Sequence, residues 1–223
     1  MDHDFEQGSL GDNYLLTMCA ALASRGSIIP NIFHQKKYTH EGIFALKVFV
    51  KGRPEEVTVD DLFPIYNNQP AFAKPTTDGA WWLPILEKAY AKVHVNYEQI
   101  SSGSHAEAAA FLTNSPSKEF DTRYQGLDEL WSALSSALKQ KFIVTTVSFV
   151  EKEGIQPGQG YIAEDVIQFA TDEDIVRLVK IRNPWKKTDG LGASTGRVEW
   201  SGAYSKNSRE WGTRDIKVKA GFD

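Results

Sequence analysis

The sequence predicts an α+β fold whose two classes of element are segregated, helices dominating residues 1–139 and strands residues 140–223. Two observations carry this. Apolar residues recur at helical spacing in three segments, 14–23, 81–93 and 127–141. Past residue 141 the apolar runs become short and β-branched, at 142–150, 161–169 and 175–181. Segregation of this kind implies two lobes with a cleft between them, the boundary falling near Lys139.

Each element has a local reason. Gln7 to Asn13 is a glycine-punctuated loop, and Asp12 stands as an N-cap ahead of the run Tyr14–Ala23, in which Leu15, Leu16, Cys19, Leu22 and Ala23 share a face. Ile43–Val50 reads as a strand, Gly52-Arg53-Pro54 as a turn and Val57–Val59 as the returning strand. A polar connection rich in Pro and Asn covers Pro64 to Asp78. The helix over 81–93 places Leu83, Leu86, Ala89, Tyr90 and Val93 together, and Pro84 is compatible only in its first turn. The last two strands flank the acidic turn Thr171-Asp172-Glu173-Asp174, a hairpin.

Composition excludes several classes. With 223 residues and six Trp there is material for a sizeable core. The net charge of -4 argues against a dedicated nucleic-acid binder. No apolar run of membrane-spanning length occurs, and Met1-Asp2-His3-Asp4 offers neither a signal peptide nor a myristoylation glycine. One cysteine precludes an intrachain disulfide and fits a reducing intracellular compartment.

Three blocks resemble the calpain cysteine protease core, in family order and across nearly the whole chain. Gln7-Gly8-Ser9-Leu10-Gly11-Asp12-Asn13-Tyr14-Leu15-Leu16 is similar to the signature Q-G-x-L-G-D-C-W-L-L. Val59-Asp60-Asp61, Pro64 to Asn68, Trp82 and Leu86 to Lys92 resemble the family's helical lobe. Ile181-Arg182-Asn183-Pro184-Trp185 and Val198-Glu199-Trp200-Ser201-Gly202 resemble its I-R-N-P-W and V-E-W-x-G segments. The resemblance implies a papain-like fold, a helical nucleophile-side lobe at 1–139 and a β lobe at 140–223 that is truncated relative to the family.

A cysteine protease needs a thiolate, a histidine to exchange its proton, a group orienting that imidazole, and oxyanion donors. The resemblance puts Asn13 at the nucleophile position and Gln159, in Gly158-Gln159-Gly160-Tyr161, at the histidine position. Neither carboxamide ionises near neutral pH, and none of the five histidines lies in the second half. Gln7 matches the oxyanion glutamine, Asn183 the orienting asparagine and Trp185 the tryptophan over the cleft, while Tyr14 replaces a tryptophan. The implied protein is a pseudopeptidase: a cleft without its two reactive groups.

Calcium is the ion the resemblance implies. Asp4, Glu87 and Glu199 fall at ligand-like positions, but Lys206 stands where an aspartate is expected, so the second-lobe site is expected to be lost and the first crippled. No other cofactor is implied. Cys19, inside an apolar run, reads as an inert core thiol rather than a displaced nucleophile. Asp172-Glu173-Asp174 reads as a solvated turn, Lys36-Lys37 and Lys186-Lys187 as solvated charge, and Gly190 to Gly196 as a flexible insertion rather than a phosphate loop. The leading expectation is a non-catalytic protein-binding module taking an extended peptide in the cleft. Altered triads of this sort resemble kinetoplastid calpain-like proteins, which implies a cytoplasmic, cytoskeleton-associated protein. The alternatives are a calcium-dependent endopeptidase with unconventional residual activity, and a regulator of an active calpain-like partner.

Overall fold

The computed structural model describes residues 5–76, 78–171, 174–185, 187–188, 194–196 and 199–211. The chain forms two compact units. One holds the described residues up to Asp121 together with Pro184 and Trp185; the other runs from Thr122 to Asn183 and resumes at Lys187. Helices and antiparallel sheets are mixed, as an α+β fold requires.

The first unit is built around α1 (Asn13–Ala23). Tyr14 to Leu22 are all buried, so α1 has no polar face and is covered by α2 (Ile28–Ile32), α3 (Trp82–Val93) and α4 (His105–Thr113). The one-faced helix expected from the spacing is thus a central helix, buried all round. β1 (Ile43–Val50) and β2 (Arg53–Asp60) form an antiparallel hairpin in which Phe44 faces Val59 and Leu46 faces Val57. Its turn is Lys51-Gly52, both at positive φ (51° and 77°), rather than Gly52-Arg53-Pro54. A two-residue turn of this hand matches strand twist, and Pro54 is absorbed into β2. Lys88 and Lys92 of α3 cap the outer edge of β2: Lys92 Nζ donates to Thr58 O at 2.6 Å and Lys88 Nζ to Asp60 O at 3.2 Å. A proline and two lysines are the usual protection of an unpaired edge. Inside the polar connection lies a small hairpin, β3 (Ile65–Tyr66) with β4 (Gln69–Pro70), turned at Asn67-Asn68, both at positive φ.

Pro84 occupies the third position of α3, in the first turn, where its missing N–H costs nothing. α4 was not expected from apolar spacing. It carries a full capping box: Glu107 N–H donates to Ser104 Oγ at 3.2 Å, and Ser104 N–H to the Glu107 carboxylate at 2.9 Å. Ser104→Ala is expected to lower stability by about 1 kcal/mol, measured by urea denaturation.

In the second unit β5 (Val144–Val147), β6 (Gly160–Ala170) and β7 (Ile175–Arg182) form an antiparallel sheet with β6 central. The β6–β7 turn is closed by Thr171 N–H donating to Asp174 O at 2.8 Å; Asp172 and Glu173 lie outside the described residues. α5 (Leu127–Lys139) packs on β5 and β6, with Arg177 of β7 over the Trp131 ring and bonded to Asp128. The division between the two compact units falls at 121/122, and α5 is grouped with the sheet that follows it. A short pair, β8 (Lys187–Thr188) with β9 (Ser194–Gly196), completes the described strands; Lys186, 189–193 and Val198 lie outside the described residues.

Candidate functional site

The loop ahead of α1 is held by close backbone approach. A Cβ on Gly8 would meet Phe72 O at 2.3 Å and Ala71 O at 2.4 Å, so only glycine lets this strand of chain pass. Ser9 N–H donates to Ala71 O at 3.0 Å beside it. Gly8→Ala is expected to cost about 2 kcal/mol, since backbone rather than a side-chain tip must yield, with a matching fall in the urea midpoint. The Gln7 carboxamide clamps this same loop, donating to Leu10 O at 2.5 Å and, more weakly, to Asp12 Oδ1 at 3.5 Å.

Asn13 is the first residue of α1 and is half-buried. Tyr14 follows, fully packed: its hydroxyl donates to Ile100 O at 3.1 Å, its ring meets Tyr90 edge-on, and a Cβ on Gly103 would strike that ring at 2.5 Å. Burial pushes the Tyr14 phenol far up.

Asp12 occupies the N-cap position, and Leu15 and Leu16 N–H bond to its carbonyl, but its side chain caps nothing. The carboxyl turns into the core beside Glu87 of α3; the two residues are 0 % and 2 % exposed. Ala73 N–H donates to both Glu87 oxygens, at 3.0 and 3.2 Å. Asp12 Oδ2 has no hydrogen-bond partner among the described residues, and two neighbouring buried carboxyls disfavour ionising together. Desolvation, eased by the Glu87 hydrogen bond, pushes Asp12 up to about 6, and desolvation with the Asp12 charge pushes Glu87 well above its ordinary value. This pair was not anticipated. Its signal in the sequence, two acids inside apolar helix-forming runs, does not reveal that they meet.

Cys19 is fully buried, and its thiol is raised well above the ordinary range by burial and by the Asp12 and Glu87 carboxyls. A thiol so placed is neither ionised nor accessible.

In the second unit Gln159 immediately precedes β6 and Asn183 immediately follows β7. Because Ile162 pairs with Arg182, both lie at one end of this antiparallel pair. Ser148 N–H reaches Gln159 O at 3.4 Å, Gly158 N–H bonds Ser148 O at 2.7 Å, and Gln156 N–H bonds the Tyr161 hydroxyl at 2.8 Å, which together shape the turn entering β6. One residue beyond Asn183 the chain joins the first unit: Phe5 N–H donates to Pro184 O at 2.9 Å and Phe5 bridges Trp185 in parallel. Phe5 (1 % exposed), edge-on to Trp82, and Trp185 (4 %) are core residues there. Phe5 was missed from sequence because a single aromatic in an irregular segment has no period to betray it.

The calcium positions fare differently. Asp4 lies outside the described residues. Glu87 is committed to Ala73 and Asp12. Glu199 is exposed, and its carbonyl is what a Cβ on Gly154 would strike at 2.2 Å; Ser201 N–H bonds Glu153 O beside it, and Lys206 is exposed. Among the described residues no three His, Cys, Asp or Glu side chains converge as metal ligands.

The profile of the calpain family cysteine protease matches residues 1–222. The chain is 32% identical over 224 aligned residues to the calpain-type cysteine protease ADL1 of Oryza sativa subsp. japonica, covering 95% of this chain and 10% of that protein. It is 33% identical to the calpain-type cysteine protease DEK1 of Zea mays, again over 95% of this chain and 10% of the relative. To the human calpain-1 catalytic subunit it is 30% identical, over 95% of this chain and 30% of the relative. The chain thus spans a third or less of these relatives' length. A match to the calpain profile over nearly every residue, with such relatives, makes this chain a member of the calpain cysteine protease family.

Proposed function

We propose that the chain is a catalytically silent calpain-family domain that binds protein, as an extended peptide, rather than cutting it. One observation carries the reading: asparagine begins α1 and glutamine precedes β6, where the family resemblance expects the thiol and the imidazole. A carboxamide at a helix N-terminus gains nothing from the dipole that would ionise a thiol there, and glutamine cannot take and return a proton. Asn183, Gln7 and Trp185, by the same resemblance, are the retained parts of the cleft. The inaccessible Cys19 removes the simplest route to an unconventional nucleophile.

Cytoskeletal proteins in the cytoplasm are the proposed partner class, with an active calpain-like protein as the second. No helix among the described residues is long and apolar enough to cross a membrane. Calcium-titrated peptide hydrolysis tests the central claim, comparing the unmodified chain with the Asn13→Cys/Gln159→His double variant. Cleavage by the unmodified chain at a rate that Asn13→Ala leaves unchanged would sink it. Retention of tubulin or cortical proteins in a pull-down tests the partner class, and an unretained, uniformly cytosolic tagged protein counts against it.

A further inference from the structure

α3 ends in a conformation its sequence does not favour. His94 is the C-cap, its N–H bonded to Tyr90 O at 3.1 Å, and Val95 follows at φ 81°. Glycine is the usual residue at this left-handed position; a β-branched side chain there is strained. Burial does not compensate, for Val95 is 84% exposed. It lines an open groove of about 630 Å³ together with Ile43, Thr58, Lys88, Lys92 and Tyr97. Ile43 is 47% exposed. Asp60 lines the same groove, pairs with Lys88 and also feels the charge of Lys92, whose Nζ donates to Thr58 O. Among the described residues the groove thus presents two lysines against one aspartate, a net positive charge, beside two exposed aliphatic side chains. Glu87 of the same helix is buried beside Asp12 of α1, so the groove and the α1 N-terminus use different faces of α3.

We propose that this groove is a docking site for an extended acidic peptide segment of a partner protein. A carboxylate of the segment pairs with Lys92, and an adjacent apolar side chain packs on Val95 and Ile43. The inference is independent of whether the family site cleaves. Charge complementarity selects an acidic occupant, and the strain retained at Val95 is what holds an aliphatic surface at the rim.

The test is fluorescence polarisation of a labelled octapeptide alternating glutamate and leucine, against the full chain. Lys92→Gln is expected to weaken binding about tenfold and to flatten its salt dependence. Val95→Gly separates the two roles: the folding equilibrium constant should rise about fivefold as strain is released, while peptide affinity falls. A merely structural role for Val95 would not move stability and affinity in opposite directions. Equal binding of a glutamine–leucine peptide, unchanged affinity in both variants, or no binding by the wild-type chain below about 1 mM each overturns the proposal.

Discussion

Installing cysteine at position 13 and histidine at position 159 together is expected to raise calcium-titrated peptide hydrolysis on the order of 10³-fold over the unmodified chain. The reasoning is chemical. Residue 13 opens α1, so a thiol there sits at a helix N-terminus, where the dipole and the backbone N–H groups favour thiolate. Residue 159 enters β6 at the same end of the sheet as Asn183, by resemblance the group that orients an imidazole. Either single variant should stay close to background, because a nucleophile without its base, or a base without its nucleophile, loses nearly as much as losing both. Hydrolysis by Asn13→Cys alone at the double variant's rate would show that Gln159 is not the base position.

The second large effect is a loss of stability as pH rises through the range where buried Asp12 and Glu87 ionise. An unfolded aspartate titrates near 3.8, while folded Asp12 is pushed up to about 6 by burial. Between those values the folded chain keeps a proton that the unfolded chain releases, so the unfolded state is favoured as pH rises. Asp12 alone removes about 3 kcal/mol across that window, and Glu87, raised well above its ordinary value, extends the decline to higher pH. Urea denaturation from pH 3.5 to 8 measures it. Glu87→Gln is the informative comparison: its carbonyl can still accept the Ala73 N–H, and its amide can donate to the partnerless Asp12 Oδ2. That variant should outlast the wild-type chain above pH 7 by about 1–3 kcal/mol, with a flatter profile. Parallel profiles would mean that the two carboxyls do not disfavour ionising together.

Local pattern in the amino-acid sequence determined much of the fold. β1 and β2 follow from an apolar run and a returning Val57–Val59 about a glycine turn, α3 from its apolar face and first-turn proline, and the β6–β7 hairpin from two β-branched runs about an acidic turn. α4 was not read from the sequence, because apolar spacing alone does not show it; its local signal is the serine and glutamate of its capping box. The family signature, and the amides at 13 and 159 within it, are likewise matters of residue identity, which no conformation alters.

Tertiary structure decided what depends on distant partners. Asp12 reads as a helix cap because capping is a local property, yet its side chain is committed to Glu87, far along the chain. Leu127–Lys139 reads as part of the helical half because segregation by element type is a sequence average; its packing on β5 and β6 assigns it to the second unit. Gly8 looks like loop punctuation, and only the carbonyls of Ala71 and Phe72 show that it is a steric requirement. Periodicity reports which face of an element is apolar. Which group meets which, and so which acids are driven to stay protonated, is set by contacts between residues that the sequence keeps apart.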